Sequence, residues 1–305
     1  MTLTELRYIV AVAQEKHFGR AAQRCYVSQP TLSIAIKKLE EELGVVLFDR
    51  SSSEVMATEA GQRIITQARR VLEEAGRIKH LASKQQNELE GVFKLGLIFT
   101  VAPYLLPKLI LSLRRLAPAM PLQLDENYTE SLTEALKRGD LDAIVVAEPF
   151  QETGLINIPL YDEPFFVIVP KGHSFENMTE ITAEQLAEGR VLLLTEGNCM
   201  RDNVLDSCKE LASKQKVQGL TNNIQGSSIN TIRHMVASGL GVSVVPSTAL
   251  NETDHLLFSI IPFAPPVPKR RIILAARRHF IRPQALDTIK TAILNSQLSG
   301  VQFIE

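Results

Sequence analysis

The chain has no tryptophan, only three cysteines in 305 residues, a net charge of −1, and nowhere a run of about 18 apolar residues. Each shortage excludes something. Without a long apolar run no transmembrane helix is expected, and the start Met1-Thr2-Leu3-Thr4-Glu5 offers neither a basic leader nor a following apolar stretch, so a soluble, cytoplasmic protein is expected. Cys25, Cys199 and Cys208 are too few and too scattered for a disulfide scaffold or a four-ligand zinc site, so no metal or other cofactor is expected. In a reducing compartment any disulfide among them would be conditional. The balanced charge gives no sign of nucleic-acid binding, and residues 1–50 hold seven Lys/Arg against six Asp/Glu. What remains is 45% hydrophobic composition over a length that suits two modest domains.

The N-terminal stretch has helical punctuation. Thr2 and Glu5 form a capping-box pair, followed by Leu6, Ile9, Val10 and Ala13 at helical spacing, predicting a helix to about Gln14. A second short helix fits Phe18–Cys25, where Ala21 and Ala22 permit close approach of another helix. After the turn Tyr26-Val27-Ser28, Ser28 can cap a third helix that Gly44 ends, with Pro30 in its first turn and Leu32, Ile36, Leu39 and Leu43 as an inward stripe. Thr31, Ile34, Lys37 and Lys38 then point outward, with Gln29 and Ser33 at the margins. Such short hydrogen-bonding side chains suit base edges in a major groove, although a small helical core with a solvated third helix gives the same pattern. Val45–Phe48 and Glu54–Ala57 read as two strands around a turn, a wing with Arg50 near its tip. From Thr58 to Glu90 no proline interrupts, and Ile64, Ala68, Val71, Ala75, Ile78 and Ala82 recur in alternating steps of four and three. That seam predicts one long helix closed by Gly91, pairing with a second copy or packing on its own chain.

The ordered motifs Phe18-Gly-Arg-Ala-Ala22, Val27-Ser-Gln-Pro-Thr-Leu-Ser33, Ile36-Lys-Lys-Leu-Glu40, Leu47-Phe-Asp-Arg50 and Thr58-Glu-Ala-Gly61 resemble the N-terminal domain of LysR-type transcription regulators. The likeness covers the whole chain and narrows to the OxyR peroxide-sensing branch through Gly197-Asn-Cys-Met-Arg-Asp202 and Cys208. It implies that Gln29, Thr31 and Ser33 read bases in double-stranded DNA, beside Lys37, and that Arg50 contacts the backbone or minor groove. It also implies an activator that recruits RNA polymerase, a homodimer assembling into a homotetramer, hydrogen peroxide as signal, and a glutaredoxin or thioredoxin-type reductant.

Downstream, strand-like and helical runs alternate: Phe93–Ile98, a helix near Ala102–Leu116, Pro121–Glu126, a helix near Ser131–Lys137, and Ala143–Val146. The order argues for an α/β domain with largely parallel strands. Phe165–Val169 and Arg190–Leu194 would belong to a second lobe, and Arg271–Ala275 with the last helix would return to the first. The resemblance implies the two-lobed fold of periplasmic binding proteins. The expected organisation is a winged helix-turn-helix over 1–57, a dimerisation helix and hinge over 58–91, and a regulatory domain over 92–305. Its first lobe would take 92–161 and 268–305, and its second 162–267.

Asn198 can cap a helix whose first turn holds Cys199 and Arg201, and both a helix N-terminus and a guanidinium favour thiolate. A thiolate that peroxide converts to sulfenic acid can then form a disulfide with a second thiol, for which Cys208 is the nearby candidate. Nine residues of helix would hold their Cα atoms roughly 13 Å apart, against about 4.4–6.8 Å in a disulfide, so oxidation would have to break the helix. Without the family likeness, two cysteines at this spacing read equally as inert packing residues, as Cys25 does. By resemblance Thr100 and Thr129 are pocket hydroxyls and Arg270 is a basic residue near the sensing site, while Asp202 beside Arg201 would help organise the thiolate. A pocket histidine of some relatives has no match, since Lys209–Ser228 contains none and offers Asn222 and Asn223. Two alternatives stay open: a LysR-type regulator answering to a small metabolite in the interlobe cleft, and a thiol peroxidase using Cys199.

Overall fold

A computed structural model describes residues 1–49, 55–82, 87–209, 211 and 226–304. The chain divides into two units, Met1–Gln86 and Asn87–Glu305.

The first unit opens with α1 (Leu3–Glu15), α2 (Phe18–Arg24) and α3 (Gln29–Leu43). The capping box closes as the sequence predicts, with Glu5 N donating to Thr2 Oγ1 at 3.2 Å and Thr2 N to Glu5 Oε2 at 2.7 Å. The cap of α2 is His17, whose Nδ1 accepts from the amides of Gly19 and Arg20. Ser28 caps α3, and Gly44 ends it at φ +68°, where a side chain would be strained. Ile9, Val12, Ala21, Leu32, Ile36 and Leu39 pack into one core with Leu47, Phe48 and Ile65.

The wing strands are shorter than their sequence suggests. Only β1 (Phe48–Asp49) and β2 (Met56–Ala57) pair, antiparallel, because Glu40 draws off the amides that a longer strand would need. Its Oε1 accepts from Leu47 N at 2.7 Å and Phe48 N at 3.3 Å, while its carbonyl takes Val45 N. Arg50 lies outside the described residues.

Helix α4 (Glu59–Ala82) starts as predicted but does not continue to Glu90. Residues 87–90 form a turn in which Asn87 Oδ1 accepts from Leu89 N, and Arg282 holds the carbonyls of Glu88 and Glu90. Gly91 follows that turn at φ +80° and donates its N–H to Ala119 O, so it is not a helix cap. Ile65 and Ala68 of α4 join the core of the winged unit, whereas Val71 and Ile78 of the predicted seam are exposed.

The second unit contains β3 (Phe93–Ile98), α5 (Ala102–Leu116), β4 (Leu122–Asn127), α6 (Thr129–Arg138), β5 (Ala143–Ala147) and the long β6 (Leu155–Pro170). It continues through α7 (Ala183–Leu186), β7 (Val191–Leu192), α8 (Cys199–Ser207), α9 (Ile229–Ala237), β8 (Val242–Pro246), β9 (Phe258–Pro262), β10 (Lys269–Arg277), α10 (Pro283–Leu294) and β11 (Gln302–Phe303). Two hydrophobic cores show two lobes. One lies around β3, β5, β10, α5 and α10, the other around β8, the second half of β6, and α9.

The strand order is β4-β3-β5-β10-β6-β8-β7, with β9 and β11 also on β6. The expectation of largely parallel strands needs correction: β3 pairs parallel with β4 and β5, and β7 with β8, but β10–β5, β10–β6, β11–β6, β6–β8 and β6–β9 are antiparallel. The cause is β6, which begins against β10 in the first lobe and ends against β8 and β9 in the second, so the boundary near Asp162 falls inside one strand. Asp162 and Glu163 sit at this hand-over, opposite Arg271 and Arg270 in register.

The tightest backbone approach in the winged unit is at Gly61, where a Cβ would stand 2.1 Å from Leu47 O. Gly61→Ala should therefore destabilise that unit by about 1–3 kcal/mol, as an overpacked core does. Thermal unfolding followed by circular dichroism checks this, and an unchanged melting profile would contradict it.

Candidate functional site

Asn198 ends a turn in which Gly197 takes φ +84°, and its side chain caps α8 by accepting from Met200 N at 3.1 Å. This places Cys199 at the first position of the helix and Cys208 at its C-terminal cap, with one unbroken helix between. The two thiols face different surroundings. Cys199 packs against the first lobe's core, while Cys208 is 1% exposed within the second lobe's core. Nine helical steps of about 1.5 Å keep them far beyond disulfide reach, as the sequence requires of the reduced state.

Cys199 lines an open groove with Thr129, Glu148, Gly197, Asp202 and Asn203. Thr129 is the first residue of α6, and its Oγ1 is buried without a well-directed hydrogen bond, next to the Cys199 sulfur. Asn203 ties α8 to the first lobe by donating through Nδ2 to Glu148 O at 2.9 Å; its Oδ1 is buried with no partner.

The cation facing Cys199 is Arg270, not Arg201. Arg201 turns the other way and donates to Leu194 O at 3.1 Å, fixing α8 to the end of a second-lobe strand segment. Arg270 is fully buried and held on three sides: Nε donates to Glu163 Oε2 at 2.7 Å, Nη1 to Thr100 Oγ1 at 2.8 Å, and Nη2 to Thr100 O at 3.1 Å. Thr100, buried in the turn between β3 and α5, thus reaches the sulfur's surroundings through Arg270. Asp202 lies at the groove surface, and partial desolvation there, with neighbouring Asp206 and Glu196, raises its carboxyl against the pull of Arg201.

The balance of forces on Cys199 differs from the expectation of a thiolate favoured by its helix and Arg201. Burial dominates and pushes the thiol up, Asp202 adds to it, and Arg270, Thr129 and the Met200 amide oppose it. On balance the Cys199 thiol is pushed above its ordinary range, with Arg270 as the leading opposing influence.

Of the residues the sequence pointed to, Cys199, Thr129 and Asp202 line one groove, Arg270 faces the sulfur with Thr100 bonded to it, Arg201 turns to Leu194 O, and Cys208 lies in the second lobe's core. Glu163, Asn203 and Thr248 were not among them. The visible signal for Glu163 was the charge alternation Asp162-Glu163 against Lys269-Arg270-Arg271, whose register sends one pair inward and the other outward.

On the winged unit, Gln29, Thr31, Lys37 and Lys38 are exposed along α3, Ser33 is half-buried, and the Thr31 hydroxyl contacts Ser28 Oγ at 2.8 Å. Tyr26, just before α3, is 96% exposed with φ +56°, a feature the sequence pattern did not indicate. Among the described residues no helix is long and apolar enough to cross a membrane.

Two family models account for most of the chain: bacterial regulatory helix-turn-helix protein of the lysR family over residues 3–62, and LysR substrate binding domain over 86–296. The chain belongs to the LysR family. Among LysR-family relatives, it is 37% identical over 91% of its length to a hydrogen peroxide-inducible genes activator of Pectobacterium carotovorum, covering 90% of that protein. It is equally similar to the DNA-binding transcriptional dual regulator OxyR of Escherichia coli K12, with the same coverage. Among solved LysR-family structures, full-length OxyR C199D from Pseudomonas aeruginosa matches with TM-score 0.84 and 46% identity over 100% of this chain and 98% of that one. A reduced form of OxyR from N. meningitidis matches with TM-score 0.69 and 71% identity over 71% of this chain and 100% of that one. The LysR fold assignment accordingly covers the winged helix-turn-helix and the two-lobed regulatory unit together.

Because burial raises the Cys199 thiol, its thiolate accumulates only as pH rises past the ordinary thiol range. Iodoacetamide alkylation of Cys199 in the reduced protein, followed by peptide mass, should keep accelerating above about pH 8.5, where a free cysteine is half ionised. Arg270→Gln should move the midpoint further up, since it removes the opposing cation. A plateau below that pH in the unaltered protein would contradict the burial argument.

Proposed function

We propose that this LysR-family regulator controls genes of the oxidative stress response by binding double-stranded DNA and sensing hydrogen peroxide at Cys199. The observation that carries the proposal is a single helix with a thiol at each end, one facing the groove beside Arg270 and Thr129, the other sealed in the second lobe. The names of the relatives, hydrogen peroxide-inducible genes activators among them, support it.

The Cys199 thiolate attacks one peroxide oxygen, the O–O bond breaks, and hydroxide leaves with a proton to become water, giving a sulfenic acid. The Cys208 thiol then attacks that sulfur and expels a second water, forming the disulfide. A thioredoxin- or glutaredoxin-type dithiol returns both thiols, at a potential on the order of −220 to −320 mV. Since α8 cannot persist with its ends bridged, its bonds to both lobes, Asn203 to Glu148 O and Arg201 to Leu194 O, are released or remade. This converts a two-electron event into rearrangement of the second lobe.

Gln29, Thr31, Ser33 and Lys37 are assigned to the DNA interface on α3, with Arg50 of the wing, and the exposed Val71 and Ile78 of α4 to pairing with a second copy. A homotetramer recruiting RNA polymerase in the oxidised state completes the reading. The role is regulatory rather than enzymatic: Cys199 turns over once per signal, and the winged unit gives that event an output.

Cys199→Ser should abolish the peroxide-dependent change in a DNA footprint while leaving DNA binding itself. In the unaltered protein, substoichiometric peroxide should remove two hydrogens from the intact mass and block both thiols to trapping reagents. A footprint response that survives in Cys199→Ser would refute the mechanism. Asn203→Ala removes one bond that holds reduced α8, worth about 1 kcal/mol, and should shift the disulfide midpoint potential about 20 mV more negative. Equilibration with a thiol redox buffer measures this, and a less negative potential would contradict the latch.

A further inference from the structure

Both oxygens of the Glu163 carboxylate are committed, and to different lobes. Oε2 accepts from Arg270 Nε at 2.7 Å, and Oε1 accepts from the Thr248 hydroxyl and from Thr248 N at 3.3 Å. Glu163 and Arg270 are both completely buried and stand opposite each other across β6 and β10, so their side chains share one face of the sheet. Thr248 follows β8 in the second lobe, whereas Thr100, the other partner of Arg270, belongs to the first. Of the five N–H donors of a guanidinium, these bonds use three, leaving two for whatever lies on the Cys199 side.

The charged and titratable groups facing Cys199 are Arg270 from β10 and Asp202 from its own helix. Those facing Arg270 are Glu163 and Tyr161 from β6, Tyr104 from α5, and Cys199 itself. In surroundings this dry, the field that Arg270 exerts at the sulfur is what remains after Glu163 has offset part of it. Arg270 favours the thiolate, and Glu163 weakens that support.

We propose that Glu163, gripped from the second lobe by Thr248, is a positioning residue that sets how much of the Arg270 charge reaches the Cys199 sulfur. Glu163 thereby restrains the sensing thiol, and Thr248 gives the second lobe a lever on it. Any movement of the second lobe that loosens the Thr248 bond returns carboxylate charge to Arg270 and quiets the thiol. The inference rests on the reading of Cys199 as the reactive thiol, but its electrostatic content can be measured without peroxide.

The test is the pH profile of Cys199 alkylation by iodoacetamide in the full-length reduced protein, read by peptide mass with Cys25 as an internal reference. Glu163→Gln keeps the shape and removes the charge, so the Cys199 midpoint should fall by about one pH unit, roughly tenfold more thiolate at neutral pH. Thr248→Val keeps the charge and the backbone N–H but removes the competing hydroxyl, so the midpoint should rise. Cys25 should not move in either variant. Opposite shifts in the two variants support the proposal, because general loosening would move both the same way. An unchanged or raised midpoint in folded Glu163→Gln overturns it; should that variant fail to fold, an unchanged or lowered midpoint in Thr248→Val does so. Peroxide consumption by the unaltered protein is the separate arm: an inert Cys199 there would sink the sensing reading, while the alkylation profiles still decide the role of Glu163.

Discussion

The buried pair of Glu163 and Arg270 is the constraint on which the regulatory unit depends. Two full charges at complete burial are tolerable because they are paired and bonded: each is the other's counter-ion, Thr100 takes two further guanidinium bonds, and Thr248 takes the second carboxylate oxygen. Pairs of this kind contribute little net stability against an apolar replacement, yet losing one member typically costs about 3–5 kcal/mol. Their value lies in placement. The pair sits where β6 leaves β10 for β8, so it joins both lobes at the point where one strand serves both. Next to it, with side chains on the opposite face, Asp162 is held by Arg271 and Lys269 in a more exposed cluster of three, which keeps its carboxyl below the ordinary range.

Around that fixed charge, α8 is built as the element able to change. Its N-terminal end is bonded to the first lobe through Asn203 and packed there through Cys199, while Arg201 and the buried Cys208 fasten it to the second. The helix is nine residues long, and its two thiols define two incompatible local structures. Burial pushes the first thiol up, and Arg270 supplies an opposing field from outside the helix. Reactivity and mechanical consequence thus reside on one short element but are set by different neighbours.

Much of this was legible in the residues themselves. Local capping signals, Thr2 with Glu5 and Ser28 with Gly44, predicted α1 and α3, and local residue pattern predicted α2, the Ala102–Leu116 helix and the strand at Ala143. The first wing strand is shorter than its sequence suggests because Glu40, from α3, takes the amides of Leu47 and Phe48. The predicted long helix does not reach Glu90, where Arg282 takes the carbonyls of Glu88 and Glu90. Parallel strands were over-assigned because alternation of strand and helix does not reveal that a single strand crosses from one lobe to the other.

The sequence by itself determined the three N-terminal helices, the helix joining Cys199 to Cys208, and hence the separation that makes any disulfide between them a conformational event, since all three follow from local spacing. Tertiary structure alone decided which guanidinium faces the sulfur. Arg201 is two residues from Cys199 in the chain, but helical geometry turns it towards Leu194, while Arg270 arrives from 71 positions downstream because the register of β10 on β6 points it inward. Electrostatic control acts through space, and proximity in space is what a linear pattern does not record.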